Sequence, residues 1–353
     1  MEKTKKGEIE MKFWLTKIIL ICLSISMLGC TNNVQEENKQ LTVKKTIKEM
    51  PFKSCINIGN ALDAPRNMKW DVEMQYYYFD EIKNAGFDAV RIPVRFSDYA
   101  KNAQEYKLDE EFMKKIDSYI DYALKDDLYV ILDFHHFIEI MEQPENFKEC
   151  YLKIWQQLSE RYKKYSDKLI FELLNEPKDN LKGDLWNEYI KDGVSIIHEK
   201  NKDRKIIVGP DNYYSVYSLD HLVIPEDDNI IVSFHYYEPN EVTFQGSLNH
   251  EGFENMNNIE WNGTDKEKKY LKSRFKIVRE YAEKHNVPVL LGEFGTNKNA
   301  PDETRIKWTE AVTAEAKKNK FAYGYWELCS EFGIYDIENN KWNNSILNIL
   351  TDK

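Results

Sequence analysis

The chain has 353 residues, 42% hydrophobic and 31% charged, the composition of a globular protein rather than a disordered or fibrous one. Its formal net charge of -11 is spread along the chain, which disfavours nucleic acid and anionic membrane surfaces as partners and fits a neutral ligand. Aromatic residues make up 13% of it, which suits a sugar-stacking groove without by itself deciding for one.

Near the amino terminus Lys12 and Lys17 precede an apolar run, Ile18 to Leu28, followed by Gly29 and Cys30. Positive charge, a short apolar core and a small residue before the break describe a secretory signal. The run is short for a membrane-spanning helix, so an uncleaved anchor is the second reading. The ending Leu28-Gly-Cys30 resembles the lipobox of bacterial lipoproteins, with Met27 where that pattern usually has Leu. The expectation is a signal over 1–30, lipidation at Cys30, and a secreted protein held at the cell surface, touching membrane only through that lipid. The acidic residues before Met11 make Met11 an alternative start. Residues 31–48 are polar and charged and read as a tether. Three cysteines remain, Cys55, Cys150 and Cys329. Odd in number and widely spaced, they are expected to be buried free thiols. There is no CxxC and no zinc spacing, so no metal or cofactor is implied.

From residue 49 to 353 apolar runs of strand length alternate with amphipathic stretches of helical period. The strands expected are Ser54–Gly59, Ala89–Val94, Tyr129–Phe134, Leu169–Leu174, Lys205–Gly209, Ile230–Phe234, Val287–Gly292 and Phe321–Glu327. Helices are expected over Val72–Ala85, Glu110–Lys125, Phe147–Tyr165, Leu185–Lys200, Lys266–Lys284 and Glu303–Lys318. Eight strands alternating with helices imply a parallel sheet, and eight is the number that closes a (β/α)8 barrel. An open doubly wound sheet is the alternative, but no Gly-rich phosphate loop follows the first strand. The connection from Tyr237 to about Lys266 is unusually long, and loops of that length usually carry function. It follows the sixth strand on the face where barrels keep their chemistry, so it is expected to wall a cleft. One domain is expected.

Parallel strands covered on both faces are apolar almost throughout, so polar residues at their carboxyl ends point out of the core. The fourth strand runs into Asn175-Glu176-Pro177 and the seventh into Glu293-Phe-Gly. The first leads into Asn57-Ile-Gly59-Asn60-Ala-Leu-Asp63, and the second carries Arg91. The third ends in Asp133-Phe-His135-His136, the sixth in His235-Tyr236-Tyr237, and the eighth in Trp326-Glu327. Two glutamates at strand ends are the equipment of a retaining glycosidase, one acid/base and one nucleophile.

Arg91-Ile-Pro, Asp133-Phe-His-His, Leu174-Asn-Glu-Pro, His235-Tyr-Tyr, Gly292-Glu-Phe-Gly and Trp326 together resemble the marker set of glycoside hydrolase family 5. The Gly59-Asn60-Ala-Leu-Asp63 opening is similar to its clostridial endoglucanases. Each motif alone is weak, but six in order at the expected strand ends, from about Ile56 to Trp326, are strong. The resemblance implies a (β/α)8 barrel with Glu176 as acid/base and Glu293 as nucleophile. Arg91 is the expected bidentate partner of Glu293. Asn175 is placed to donate to the sugar 2-OH, and Tyr237 to the nucleophile oxygen. His235 is expected to bind sugar or support Glu176. By strand alternation only one of His135 and His136 faces inward; the resemblance favours His135 on substrate and His136 in support. As a metal pair they lack a third ligand. Trp326 offers a plate for a pyranose. Asn60 and Asp63 are expected to support the site, Trp70, Trp261 and Tyr99 are looser cleft candidates, and Glu327 is expected to be structural.

The reading is an endo-β-1,4-glucanase acting as a monomer on cellulose or mixed-linkage β-glucan. β-Mannanase and xyloglucanase are alternatives within the family. A sugar-binding lipoprotein that lost the reaction is the alternative from another class, though both glutamates are present. A serine hydrolase would need a G-x-S-x-G elbow, which the chain lacks.

Overall fold

A computed structural model describes residues 47–352. The signal, Cys30 and most of the expected tether therefore lie outside the described residues. Eight parallel strands close into one barrel in sequence order: β1 (Ser54–Asn57), β2 (Ala89–Val94), β3 (Tyr129–Phe134), β4 (Leu169–Glu172), β5 (Ile206–Val208), β6 (Ile230–His235), β7 (Val289–Phe294) and β8 (Ala322–Tyr325). The fold is a (β/α)8 TIM barrel, and the open sheet is excluded because β1 pairs with β8 as well as with β2.

The barrel interior is layered by the two-residue period of its strands. At the amino-terminal end Cys55, Ala89, Ile131, Ile170, Ile207, Ile231, Leu290 and Ala322 form one apolar cluster, with Phe52 beneath. Two residues further along the same strands stand Asn57, Arg91, Asp133, Glu172, Ser233, Gly292 and Gly324. The first five are polar and buried. The floor is thus hydrophobic and the storey above it polar, on one face of each strand. Side chains on the opposite face, such as Val90, Leu132, Phe171 and Val232, join the larger core between barrel and helices.

The expected helices are present as α1 (Tyr77–Ala85), α2 (Glu110–Lys125), α3 (Pro144–Arg161), α4 (Gly183–His198), α5 (Asp265–His285) and α6 (Asp302–Asn319). Asp109 caps α2 through the Glu111 and Phe112 amides, and Thr264 with Glu267 forms a capping box on α5. The first helix begins at Tyr77, later than expected, because Val72 and Met74 are buried at extended, two-residue spacing. Between β5 and β6 there is no long helix, only a turn at Asp211–Tyr214 and a 3-10 segment at Val216–His221. After β8 come a two-stranded ribbon and α7 (Asn344–Thr351), neither foreseen from the sequence. Cys55, Cys150 and Cys329 are free and buried. Among the described residues no helix is long and apolar enough to cross a membrane.

Candidate active site

A cleft of about 940 Å³ opens at the carboxyl ends of the strands. At its floor is Arg91, fully buried on β2. Its Nε and Nη2 donate to the two oxygens of Glu172 at 2.7 and 2.9 Å. Nη1 donates to Glu293 Oε1 at 2.7 Å and to Asn57 Oδ1 at 2.9 Å. Nη2 also donates to Asn175 Oδ1 at 2.8 Å and lies 3.0 Å from Asp133 Oδ2. The bidentate partner of Arg91 is therefore Glu172 and not Glu293, which receives one nitrogen only. Glu172 went unremarked in the sequence because it reads as one polar residue inside Leu169-Ile-Phe-Glu-Leu-Leu. Its two-residue offset from Ile170 was the available signal that it faces the barrel interior.

Glu176 and Glu293 meet across His235. The His235 Nδ1 atom is 2.6 Å from Glu176 Oε1 and 3.7 Å from Glu293 Oε2. An oxygen of each carboxylate and the imidazole nitrogen all lie within 4.8 Å of one another. The ladder shifts register between Phe234 and His235 and again between Leu291 and Phe294, so the His235 and Glu293 side chains emerge where the strands are irregular. Such irregularities re-aim side chains beside active sites. Glu176 itself has φ 49°, a left-handed backbone that lifts its carboxyl away from the strand line. The Tyr237 hydroxyl donates to Glu293 Oε2 at 3.0 Å. Tyr236 points the other way and stacks on Trp308.

The two carboxyls have different surroundings. Burial pushes the Glu176 carboxyl up to about 6, only partly opposed by Arg91. Burial also raises Glu293, with His235 and Arg91 pulling against it. Burial drives the His235 imidazole down to about 4, so it is neutral between them. Asn175 accepts from Arg91 through Oδ1, which turns its NH2 group towards the cleft as a donor.

His135 and His136 both line the cleft. The alternation expected to separate them does not apply, because β3 ends at Phe134. His135 Nδ1 is 2.6 Å from Asp133 Oδ2, and its ring lies 5.4 Å from Trp326 and nearly parallel to it. His136 Nδ1 donates to the Asp63 carbonyl at 3.2 Å, and Trp70 meets the His136 ring edge-on. Burial pushes His136 down to about 3 and His135 well below its ordinary value. The sequence offered these two no third ligand, but the fold brings Asp63 beside them, with one atom of each residue within 4.8 Å of the others. The Asp63 carboxylate is already engaged by the Asn60 and Ala61 amides at 3.1 and 2.8 Å, which fixes the loop after β1. Asn60, at φ 60°, turns that loop into the cleft.

Trp326 sits against Gly59, where a Cβ would come within 2.6 Å of the indole, so only glycine lets the ring lie there. Glu327 is buried and accepts from the Cys329, Ser330 and Phe332 amides at 2.7, 2.8 and 3.1 Å. That structural role fixes the loop presenting Glu331 and Phe332 to the cleft. Two looser candidates fall elsewhere: Trp261 is buried in the core, and Tyr99 stacks on Phe112 beneath Arg66. Trp70 does line the cleft.

The long connection after β6 forms one wall, as expected. Gln245 folds it by donating to Val242 O and Ile259 O and accepting from Ile259 N. Ser247 Oγ donates to Glu331 Oε2 at 2.7 Å, so it accepts from His250 Nδ1 at 2.8 Å. That leaves Nε2 of His250 as an acceptor at the cleft wall. Nothing local in the sequence points to this use of His250, since Glu331 lies 84 positions beyond Ser247.

A barrel with paired carboxyls, one protonatable near neutrality and one clamped by cation and hydroxyl, is equipped for acid/base and nucleophilic chemistry on a glycosidic bond. Residues 58–332 match the cellulase (glycosyl hydrolase family 5) profile. The chain belongs to glycosyl hydrolase family 5. It is 31% identical over 341 residues to endoglucanase A of Ruminococcus albus, covering 87% of this chain and 91% of that one. It is 30% identical to endoglucanase H of Acetivibrio thermocellus over 83% of its own length but only 32% of that protein's. The crystal structure of clostridial cellulose synthase subunit Z from Clostridioides difficile superposes with a TM-score of 0.84 at 55% identity, covering 85% of this chain and 99% of that one. This family 5 chain is a glycoside hydrolase of the cellulase type.

Proposed function

We propose that the protein is a retaining endo-β-1,4-glucanase in which Glu176 is the acid/base and Glu293 the nucleophile. The observation that carries the reading is the approach of the two carboxyls, with an oxygen of each within 4.8 Å of the other across His235. Retaining enzymes hold their carboxyls ~5–5.5 Å apart, whereas inverting enzymes need ~6.5–9.5 Å to admit a water.

In the first step Glu293 Oε attacks the anomeric carbon while Glu176 gives its proton to the departing glycosidic oxygen. The carbon–oxygen bond breaks, and a glycosyl ester of Glu293 forms. In the second step ionised Glu176 takes a proton from water, whose oxygen attacks the same carbon and releases Glu293 as carboxylate. Asn175 donates to the 2-OH, Trp326 stacks beneath the sugar, and His135, with His136 in support, binds its hydroxyls. Arg91 and Tyr237 hold Glu293 in place, and His235 bridges the two glutamates. The names of the relatives support β-1,4-glucan as the substrate class.

The sequence before the barrel supports export, lipidation at Cys30 and a tether of residues 31–48 holding a monomeric enzyme at the cell surface. The deciding experiment is release of reducing sugar from carboxymethylcellulose, barley β-glucan, xyloglucan and glucomannan, with Glu293→Gln as the blank. Hydrolysis of the first two, absent in the variant, is expected. Binding without hydrolysis of any would overturn the reading.

A further inference from the structure

The cleft extends to Tyr217, in the segment after β5, and to Glu238, just after β6. Tyr217 is 52% exposed, and its neighbour Tyr270, on the outer helix α5, is 43% exposed. Neither ring is loose. The Tyr217 hydroxyl donates to Glu238 Oε1 at 3.0 Å and so accepts from the Tyr270 hydroxyl at 2.9 Å. The Arg274 guanidinium lies 4.9 Å from both ring centroids, a cation against two π systems at once. A hydroxyl relay and one arginine thus fix two large aromatic surfaces that still face solvent.

We propose that Tyr217 and Tyr270, clamped by Arg274, form a distal platform that binds further glucosyl units of the polysaccharide beyond the bond being cut. The inference rests on the glucanase reading above. Three observations favour a β-linked glucan as the occupant. The patch is continuous with the cleft through Tyr217 and Glu238. Rigid phenol rings offer flat apolar surfaces to the C–H faces of pyranoses at little cost in side-chain entropy. The chain's overall negative charge favours a neutral ligand over an anionic one.

The test compares kcat/KM on cellohexaose, long enough to reach the platform, with kcat/KM on 4-nitrophenyl β-cellobioside, which is too short. Tyr217→Ala and Tyr270→Ala should each lower the cellohexaose-to-cellobioside ratio about fivefold to tenfold, the worth of one aromatic contact. Tyr270→Phe keeps the ring and should restore most of it. A ratio unchanged in both alanine variants would overturn the platform, whether neither substrate is affected or both fall together. A protein partner on this patch would give that result. Cellohexaose binding by the Glu293→Gln protein, followed by fluorescence titration, supplies a readout independent of turnover. There Tyr217→Ala should weaken binding by the same factor. Cleavage of neither substrate by the wild type would instead refute the glucanase reading and leave the binding result to decide the platform.

Discussion

Arg91→Lys tests the buried charge network most directly. Arginine meets Glu172, Glu293, Asn57, Asn175 and Asp133 from one planar fork, at 2.7 to 3.0 Å. Lysine keeps the charge but concentrates it on one nitrogen with three donors, so at least two partners lose their hydrogen bond. Each buried polar group left unsatisfied costs about 1–3 kcal/mol, and breaking buried ion pairs costs about 3–5 kcal/mol. For a domain of this size that loss corresponds to roughly 5–15 °C in Tm. Activity should suffer separately. Asn175 loses the contact that orients its amide, and Glu293 loses a clamp; misplacement of this kind costs about 10²-fold. With the fork gone, burial raises the Glu293 carboxyl further, so the acid limb of kcat/KM should move to higher pH. Thermal unfolding by circular dichroism and a pH–rate profile on an aryl cellobioside read both effects. A variant within about 2 °C of wild type, with an unshifted acid limb, would refute the argument.

Glu176→Gln should abolish most turnover yet stabilise the fold at alkaline pH. The folded state holds this carboxyl at about 6 against an ordinary 4.5, so the protonated form is the favoured one. Its contribution is complete below the ordinary value and lost as pH rises through 6. The glutamine variant should gain ~2 kcal/mol at pH 8 and almost nothing at pH 4, measured by denaturant unfolding at both. Gly59→Ala should displace Trp326, whose ring lies 2.6 Å from where the new Cβ falls. Overpacking of that kind costs about 1–3 kcal/mol and should appear as a rise in KM with altered tryptophan fluorescence. Glu327→Gln replaces an acceptor of three amides by a group with one acceptor oxygen, at about 1–3 kcal/mol. Its Tm should fall, and KM should rise as the Glu331–Phe332 loop loosens.

The barrel was legible because parallel strands are written as apolar runs, and β2 and β3 coincide with their expected spans residue for residue. The site was legible where polar side chains follow such a run, as with Glu176, Glu293 and His235. It was less so where a polar residue lies inside one. Glu172 is such a residue, and its role depends on facing the same interior layer as Arg91, a fact of register between β2 and β4. Aromatic identity was an uncertain guide, since Tyr99 and Trp261 pack inward while Tyr217 faces out. Nothing local distinguishes them. The Glu331–Ser247–His250 chain joins two loops that only barrel closure brings together.

Two carboxyls this close would titrate as one pair unless their surroundings set them apart. The structure does so through unequal donors. Glu293 receives a cationic N–H from Arg91 and a hydroxyl from Tyr237, both favouring the anion. Among the described residues Glu176 meets only the imidazole of His235, which burial keeps neutral. A neutral imidazole nitrogen can donate to an ionised carboxylate or accept from a protonated one, depending on its tautomer. In the proposed mechanism Glu176 must alternate between those two states, while Glu293 must never be protonated when attack begins. Arg91 cannot serve Glu293 alone, because Glu172 takes its bidentate edge. Glu172 thereby fixes which side of the guanidinium faces the nucleophile. A second buried carboxylate near the nucleophile looks counterproductive by charge alone. By geometry it is what aims the arginine.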